Sequence, residues 1–289
     1  MKTNKYRNAI IKYFPTILPA MLWMIGFFVI PLLFIVIVSF STRGEVGNIV
    51  YKFTLSNYTK ILNPLYINIF GESILIAINT TVLCLLLGYP FAFIIANVNK
   101  KFKPLLLLLI ILPFWTNSLV RTYAMIILLR TEGIINTVLL NLHIINIPLN
   151  LMYNNTAVMI GMLYMMFPFM VLPLYTSIEK LDKRILDAAS DLGATPIYKF
   201  IKITLPLTMS GIVSGSILVF IPTLGLFFIT DLMGGSKVIL MSNLIKNQFL
   251  TARDWPFGSA ISVILIIFMI SIIIYNSRVS GTKGTKEVL

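Results

Sequence analysis

The chain is expected to be an all-α integral membrane protein with six spanning helices, on three observations. Of its 289 residues, 58% are hydrophobic and only 11% are charged, whereas soluble domains carry about 25% charged residues. The apolar stretches are long and continuous rather than alternating, which is the pattern of helices and not of a membrane β-barrel. Six of these stretches approach the roughly 20 residues that a helix needs to cross the hydrocarbon core. Mean hydropathy is +0.92.

The first span is placed at 17–40. It follows Lys2, Lys5, Arg7 and Lys12 without a small-residue cleavage site, so it reads as a retained helix rather than a removed signal. The second, 72–97, holds Cys84, the sole cysteine. One cysteine excludes an internal disulfide or a cysteine metal cluster, and its mid-span position suits a buried, inert thiol. The third, 104–129, contains Pro113 and Arg121, so its ordered part is expected to end near Leu112, with a broken segment beyond. The fourth is 156–178 and the sixth 258–276. The fifth, 209–230, opens with Gly211 and Gly215 at the spacing that lets helices approach closely. Pro222 and Gly225 are expected to bend it just before Phe227 and Phe228.

The formal charge of +13 suits basic residues on cytoplasmic loops better than a nucleic-acid surface. Placing both termini in the cytoplasm puts Lys100, Lys101 and Lys103 there. It does the same for Lys180, Lys183, Arg184, Lys199 and Lys202, and for Arg278, Lys283 and Lys286. No nucleotide-binding motif is present, so any ATP chemistry is expected to come from a partner. No paired carboxylates or serine–histidine arrangement suggests an enzyme, and His143 alone makes no metal site. No cofactor is expected. Three regions follow: 1–65 with the first span and an external loop, a helical core at 66–278, and a tail at 279–289.

The loop between the fourth and fifth spans is more than a connector. Leu181 to Leu192 favours a helix, and the small Ala188 and Ala189 permit close approach of another surface. Gly193 can end that helix in a left-handed conformation. Thr195-Pro196 then reads as an N-cap followed by proline at the first helical position. Ile197, Phe200, Ile201 and Leu205 share a face at helical spacing, and Pro206 closes the piece. A helix–turn–helix along the cytoplasmic membrane surface is expected.

Asp187-Ala188-Ala189, Gly193, Ile203 and Leu205-Pro206, at their fixed spacing, resemble the EAA loop of type I ABC-importer permeases (MetI-like fold). Asp187 stands where that family usually has glutamate, and it keeps the charge. The resemblance implies that 181–206 is a coupling helix docking on an ATPase subunit. The segments 113–123, 177–183, 231–235 and 253–258 further resemble the polyamine branch of the family. That resemblance implies a PotC-like second permease, a PotA-like ATPase dimer and a PotD-like extracytoplasmic binding protein. It implies spermidine or putrescine as cargo and a bacterial cytoplasmic (inner) membrane location. No nucleic acid is implied.

A polyamine path needs carboxylates for ammonium groups and aromatic faces for cation and methylenes alike. Candidates are Asp231 with Phe227 and Phe228, then Trp115, Tyr123, Asp254 and Trp255. Each has a second reading. Asp231 is a cation relay or an interfacial carboxylate paired with Lys237 or Arg121. Trp115 lines the path or anchors the helix at the membrane interface. Asp254-Trp255 forms a turn or meets the binding protein. Arg121 repels a cation and suits a structural partnership with a carboxylate. A permease of the same architecture for another solute is the first alternative, and an ion-coupled carrier acting alone is the second.

Overall fold

The structure is a computed structural model that describes residues 18–45 and 47–284. The basic residues 2–12, and Lys286, lie outside the described residues. The chain divides into two compact units, Met1–Asn63 with Ile245–Phe268, and Pro64–Leu244 with the segment from Met269 on.

In the first unit, α1 (Leu18–Ser39) exposes nearly its whole apolar surface, as a helix facing lipid does. Its exit is fixed by polar contacts. Asn57 Nδ2 donates to the carbonyls of Ser39 (3.0 Å) and Ser41 (2.9 Å), and the Ser39 and Tyr58 hydroxyls meet at 2.7 Å. A two-residue antiparallel hairpin, β1 (Thr42–Arg43) with β2 (Ile49–Val50), and a short helix, α2 (Ser56–Ile61), complete this part.

The second unit carries the core. Its helices are α3 (Pro64–Asn97), α4 (Lys103–Ile111), α5 (Ser118–Leu129), α6 (Ile134–Asn141) and α7 (Asn155–Glu179). They are followed by α8 (Lys183–Asp191), α9 (Pro196–Leu207) and α10 (Met209–Gly225). Two further helices, α11 (Met241–Leu250) and α12 (Trp255–Gly284), each run across the division between the units.

Helices α3, α7 and α10 pack on one another. Met162, Met170, Val171 and Leu174 of α7, and Val219 of α10, are fully buried between them. Glycine makes the closest approach possible. A Cβ on Gly211 would lie 2.5 Å from Ser177 Cβ and 2.9 Å from the Pro173 carbonyl oxygen. A Cβ on Gly215 would lie 2.8 Å from Met170 Sδ. Gly211→Leu is therefore expected to cost about 1–3 kcal/mol or more by overpacking, read as a lower unfolding midpoint in detergent. Gly225→Ala, with nothing within 4 Å of its Cβ, is the matched control and should unfold near the parent.

Six spans were expected. Among the described residues, five stretches are long and apolar enough to cross a membrane (Leu18–Ser39, Pro64–Asn97, Ser118–Asn141, Asn155–Glu179 and Trp255–Arg278), and a sixth is gained only if the bent pair α9 and α10 counts as one span. The second span starts at Pro64, eight residues before the expected 72. Its 34 residues make about 51 Å of helix, well beyond a bilayer core of about 30 Å. The first turns are polar at Tyr66, Asn68 and Glu72, which hid them from a hydropathy reading.

The third span, placed at 104–129, is interrupted. After α4 comes a 3-10 turn, Leu112–Trp115, then extended backbone at Thr116 before α5. Pro113 lacks the N–H that a continuing helix needs, and the Asn117 side chain caps α5 by accepting from Leu119 N at 2.8 Å. The fifth span also ends early. α10 stops at Gly225, Leu226 breaks the helix, and Phe227–Ile229 and Thr230–Gly234 follow as separate turns.

Candidate functional site

The loop between α7 and α10 folds as two helices meeting at an elbow. Asp182 starts α8: its Oδ1 accepts from Arg184 N at 3.0 Å, and its carboxylate grips the Arg184 guanidinium at 2.8 Å. The Arg184 side chain, and then its backbone N–H, hold the Asp182 carboxyl below its usual range. A lowered folded pKa means the cap is complete above the unfolded value of about 3.9 and is lost only as pH falls through the lower folded value. Loop helicity is thus expected to stay flat between about pH 5 and 8, as circular dichroism of the reconstituted chain would report.

At the far end of α8, Gly193 adopts φ +80°, the region that glycine enters without steric cost. Two backbone bonds close the helix there, Gly193 N to Ser190 O at 2.9 Å and Ala194 N to Ala189 O at 3.0 Å. Both orphan carbonyls are thereby satisfied. Thr195 then starts α9, its Oγ1 accepting from Tyr198 N at 3.3 Å with Pro196 in the first turn. Lys199 Nζ donates to Ser190 Oγ at 2.7 Å and so ties the two arms together across the elbow.

The elbow encloses an open hollow of about 530 Å3, lined by Ala189, Leu192, Gly193, Ala194, Thr195, Tyr198 and Ile203. Leu192 at its rim is 89% exposed. Asp187 and Ala188 are exposed on α8, while Ile203 and Leu205 are half-buried and Pro206 is exposed. The helical face expected for Ile197, Phe200, Ile201 and Leu205 is disturbed, because Phe200–Thr204 is wound as a π-helix. Ile197, Phe200 and Ile201 all remain exposed.

α9 meets α10 at a bend of 64°. The pivot is Thr208, fully buried, whose hydroxyl donates back to Thr204 O at 2.8 Å. Tyr89 of α3 holds this pivot: its hydroxyl lies 2.9 Å from Thr208 Oγ1, and its ring meets the Phe200 ring edge-on at 5.5 Å. Nearby, Lys103 Nζ lies 2.6–2.8 Å from both carboxylate oxygens of Glu179, joining the start of α4 to the end of α7.

The expected substrate face is only partly brought together. Phe227, Phe228 and Asp231 occupy consecutive turns, with the two rings edge-to-face at 6.3 Å. Buried Asn243 of α11 organises this turn. Its Nδ2 donates to Phe227 O at 3.1 Å and to Asp231 Oδ1. Its Oδ1 accepts from Leu240 N at 3.2 Å and lies within hydrogen-bond reach of the Thr230 hydroxyl. Asp231 is half-buried, and Arg121 is not its partner: that guanidinium lies 4.5 Å over the Phe114 ring.

Trp115 (78% exposed) and Tyr123 (55%) flank the α4–α5 break rather than joining the Asp231 turn in a buried cluster. Asp254 and Trp255 belong to the other unit. There Asp254 caps α12, accepting from Phe257 N at 3.2 Å, and pairs with Lys60 at 3.4 Å. The Lys60 ammonium also sits 4.0 Å over the Phe257 ring, while Trp255 packs edge-on against Phe249 at 5.4 Å.

Sequence reasoning missed Tyr89, Thr208, Lys199 with Ser190, and Asn243. Only Asn243 left a trace, as a polar residue just after the apolar run at Val238–Met241.

The structure is thus a bent, helical core of membrane-spanning character that carries an exposed two-helix elbow between α7 and α10. The family model for binding-protein-dependent transport system inner membrane components matches residues 88–279, and the chain belongs to that family. It is a multi-pass membrane transport subunit rather than an enzyme.

Among curated relatives, the chain is 49% identical to the spermidine/putrescine transport system permease protein PotB of Escherichia coli K12, over 92% of this chain and 97% of that protein. It is 45% identical to the PotB protein of Haemophilus influenzae, over 92% and 93%. A chain of a bacterial ABC transporter involved in the import of the acidic polysaccharide alginate superposes with a TM-score of 0.75 at 13% identity, covering 98% of this chain and 99% of that one. The last likeness establishes the fold alone.

Proposed function

We propose that this chain is one of two permeases in an ATP-driven importer of polyamines. The observation that carries the reading is 45–49% identity to spermidine/putrescine permeases along nine-tenths of the chain. The physical chemistry agrees with it: Asp231 beside Phe227 and Phe228 offers a carboxylate and aromatic faces to an alkyl-ammonium ligand. Trp115, Tyr123, Asp254 and Trp255 are proposed as further contacts on the way to that turn.

The elbow is the proposed coupling device. Both termini and residues 181–206 lie in the cytoplasm on this reading. A partner ATPase receives the exposed Asp187 and Ala188, the half-buried Ala189 and the hollow at Gly193, with Ile203, Leu205 and Pro206 supporting it. ATP-driven movement of that partner rotates α8 and α9, and the buried Tyr89–Thr208 contact passes the motion to α3 and α10. The chain supplies half the pathway. A PotC-like permease supplies the other half, a PotA-like ATPase dimer the energy, and a PotD-like binding protein the delivered cargo.

The test is uptake of labelled spermidine in cells lacking other polyamine importers and expressing this chain with its second permease, ATPase and binding protein. Spermidine or putrescine in excess should suppress uptake, whereas amino acids and sulfate should not. Suppression by one of the latter instead would assign the same machine to another solute.

A further inference from the structure

The first unit holds a ligand-like group of its own. Lys60, in the last turn of α2, places its ammonium 3.4 Å from Asp254 Oδ2 and 4.0 Å over the Phe257 ring. A carboxylate on one side and an aromatic face on the other is the pairing that holds an alkyl-ammonium ligand. The lysine side chain is itself such a group, a primary ammonium on a flexible four-carbon stem. The aminobutyl arm of a polyamine has the same length and the same charged end.

The receiving side is fixed, while the lysine is loosely held. Asp254 Oδ1 is taken up in capping α12, where it accepts from Phe257 N at 3.2 Å, and this leaves Oδ2 for a cation. The backbone there is pinned as well. Asp254 N donates to Gln248 O at 2.9 Å, and Arg43 Nη2 donates to the nearby Ala252 carbonyl at 2.7 Å. The Asp254 side chain is 10% exposed and Phe257 is fully buried, whereas the Lys60 side chain is 48% exposed. Ion pairs with a half-exposed partner are weak, so Lys60 can leave while the carboxylate stays in place. Its departure uncovers a nearly buried carboxylate, which another ammonium can compensate.

We propose that Asp254 Oδ2 and the Phe257 ring form an outer subsite for a primary alkyl-ammonium, filled in this structure by Lys60 as a tethered stand-in that arriving cargo displaces. The identity of that cargo rests on the polyamine reading above, which also turns this end of α12 outward. A tethered ammonium competes at an effective concentration on the order of millimolar. Dilute free polyamine is thereby held off, and cargo handed over at close range by the binding protein is not.

The test measures binding of n-butylammonium and of putrescine to the complex of this chain with its second permease and ATPase, without binding protein and at constant ionic strength. Lys60→Ala should bind both more tightly than the parent, by about tenfold or more. Lys60→Met keeps an apolar stem over the Phe257 ring and removes only the charge; it should gain too, by less. Lys52→Ala removes a like charge from an exposed position in the same unit and should bind as the parent does. Adding Asp254→Asn, which can still cap α12, should cancel the gain of Lys60→Ala.

Parent-like binding by both Lys60 variants overturns the proposal. So does a gain that survives Asp254→Asn, or one that Lys52→Ala reproduces. The n-butylammonium arm separates the two readings. If Lys60→Ala gains for that probe while the complete importer takes up no spermidine, the subsite stands and the cargo reading falls.

Discussion

Gly193→Val is expected to abolish coupled uptake while leaving the membrane core folded. Nothing lies within 4 Å of a Cβ at this position, so valine meets no clash inside the chain. The obstacle is the backbone, held at φ +80°. A β-branched residue there costs about 1–2 kcal/mol, which the chain avoids by straightening the elbow and breaking the two bonds from Gly193 N and Ala194 N. α8 would then point elsewhere, and the hollow between the arms would be lost. Gly193→Asn separates shape from crowding, because asparagine tolerates the left-handed region. It should keep more uptake than the valine variant. The measurement is ATP hydrolysis alongside uptake in the reconstituted complex: the valine variant should hydrolyse ATP without transporting. Parent-like uptake by that variant would remove the elbow from the coupling mechanism.

Asn243→Leu should be the most damaging single change near the proposed substrate turn. The amide serves the Phe227 carbonyl, the Leu240 N–H, the Thr230 hydroxyl and Asp231 together. Leucine leaves buried polar groups without a partner, at about 1–3 kcal/mol each, so a loss of about 3 kcal/mol or more is expected. The unfolding midpoint of the purified chain should fall well below that of Asp231→Asn, which keeps the amide in place. Asp231→Asn should instead spare assembly and impair spermidine uptake. Equal midpoints for Asn243→Leu and the parent would show that the turn does not depend on this network.

These two sites also mark what was legible in the sequence. The elbow was legible because its signals are local: Gly193, Thr195-Pro196 and the spacing to Pro206 act through a few neighbouring bonds. The long apolar helices α3 and α7 were legible from composition, and so was the contact through Gly211 and Gly215. Three things were not. The breaks in the third and fifth spans were foreseen, near Leu112 from Pro113 and before Phe227 from Pro222 and Gly225, but the extended backbone at Thr116 and the separate turns after Leu226 were not. The start of α3 is polar because it runs past the bilayer core. The contacts that hold the functional turns, Tyr89 on Thr208 and Asn243 on Asp231, join residues 119 and 12 positions apart. No periodic pattern announces such a partner. Asp254, read either as part of a turn or as a contact with the binding protein, has partners of the same kind: it caps its own helix and pairs with Lys60.

The most direct test of the account is uptake into proteoliposomes holding this chain with its second permease, with the ATPase and ATP on the side of residues 181–206. Spermidine delivered by the binding protein from the opposite side should accumulate only when ATPase, ATP and binding protein are all present. Accumulation that persists without the ATPase or without ATP would contradict the account, making the chain a carrier that needs no coupling loop.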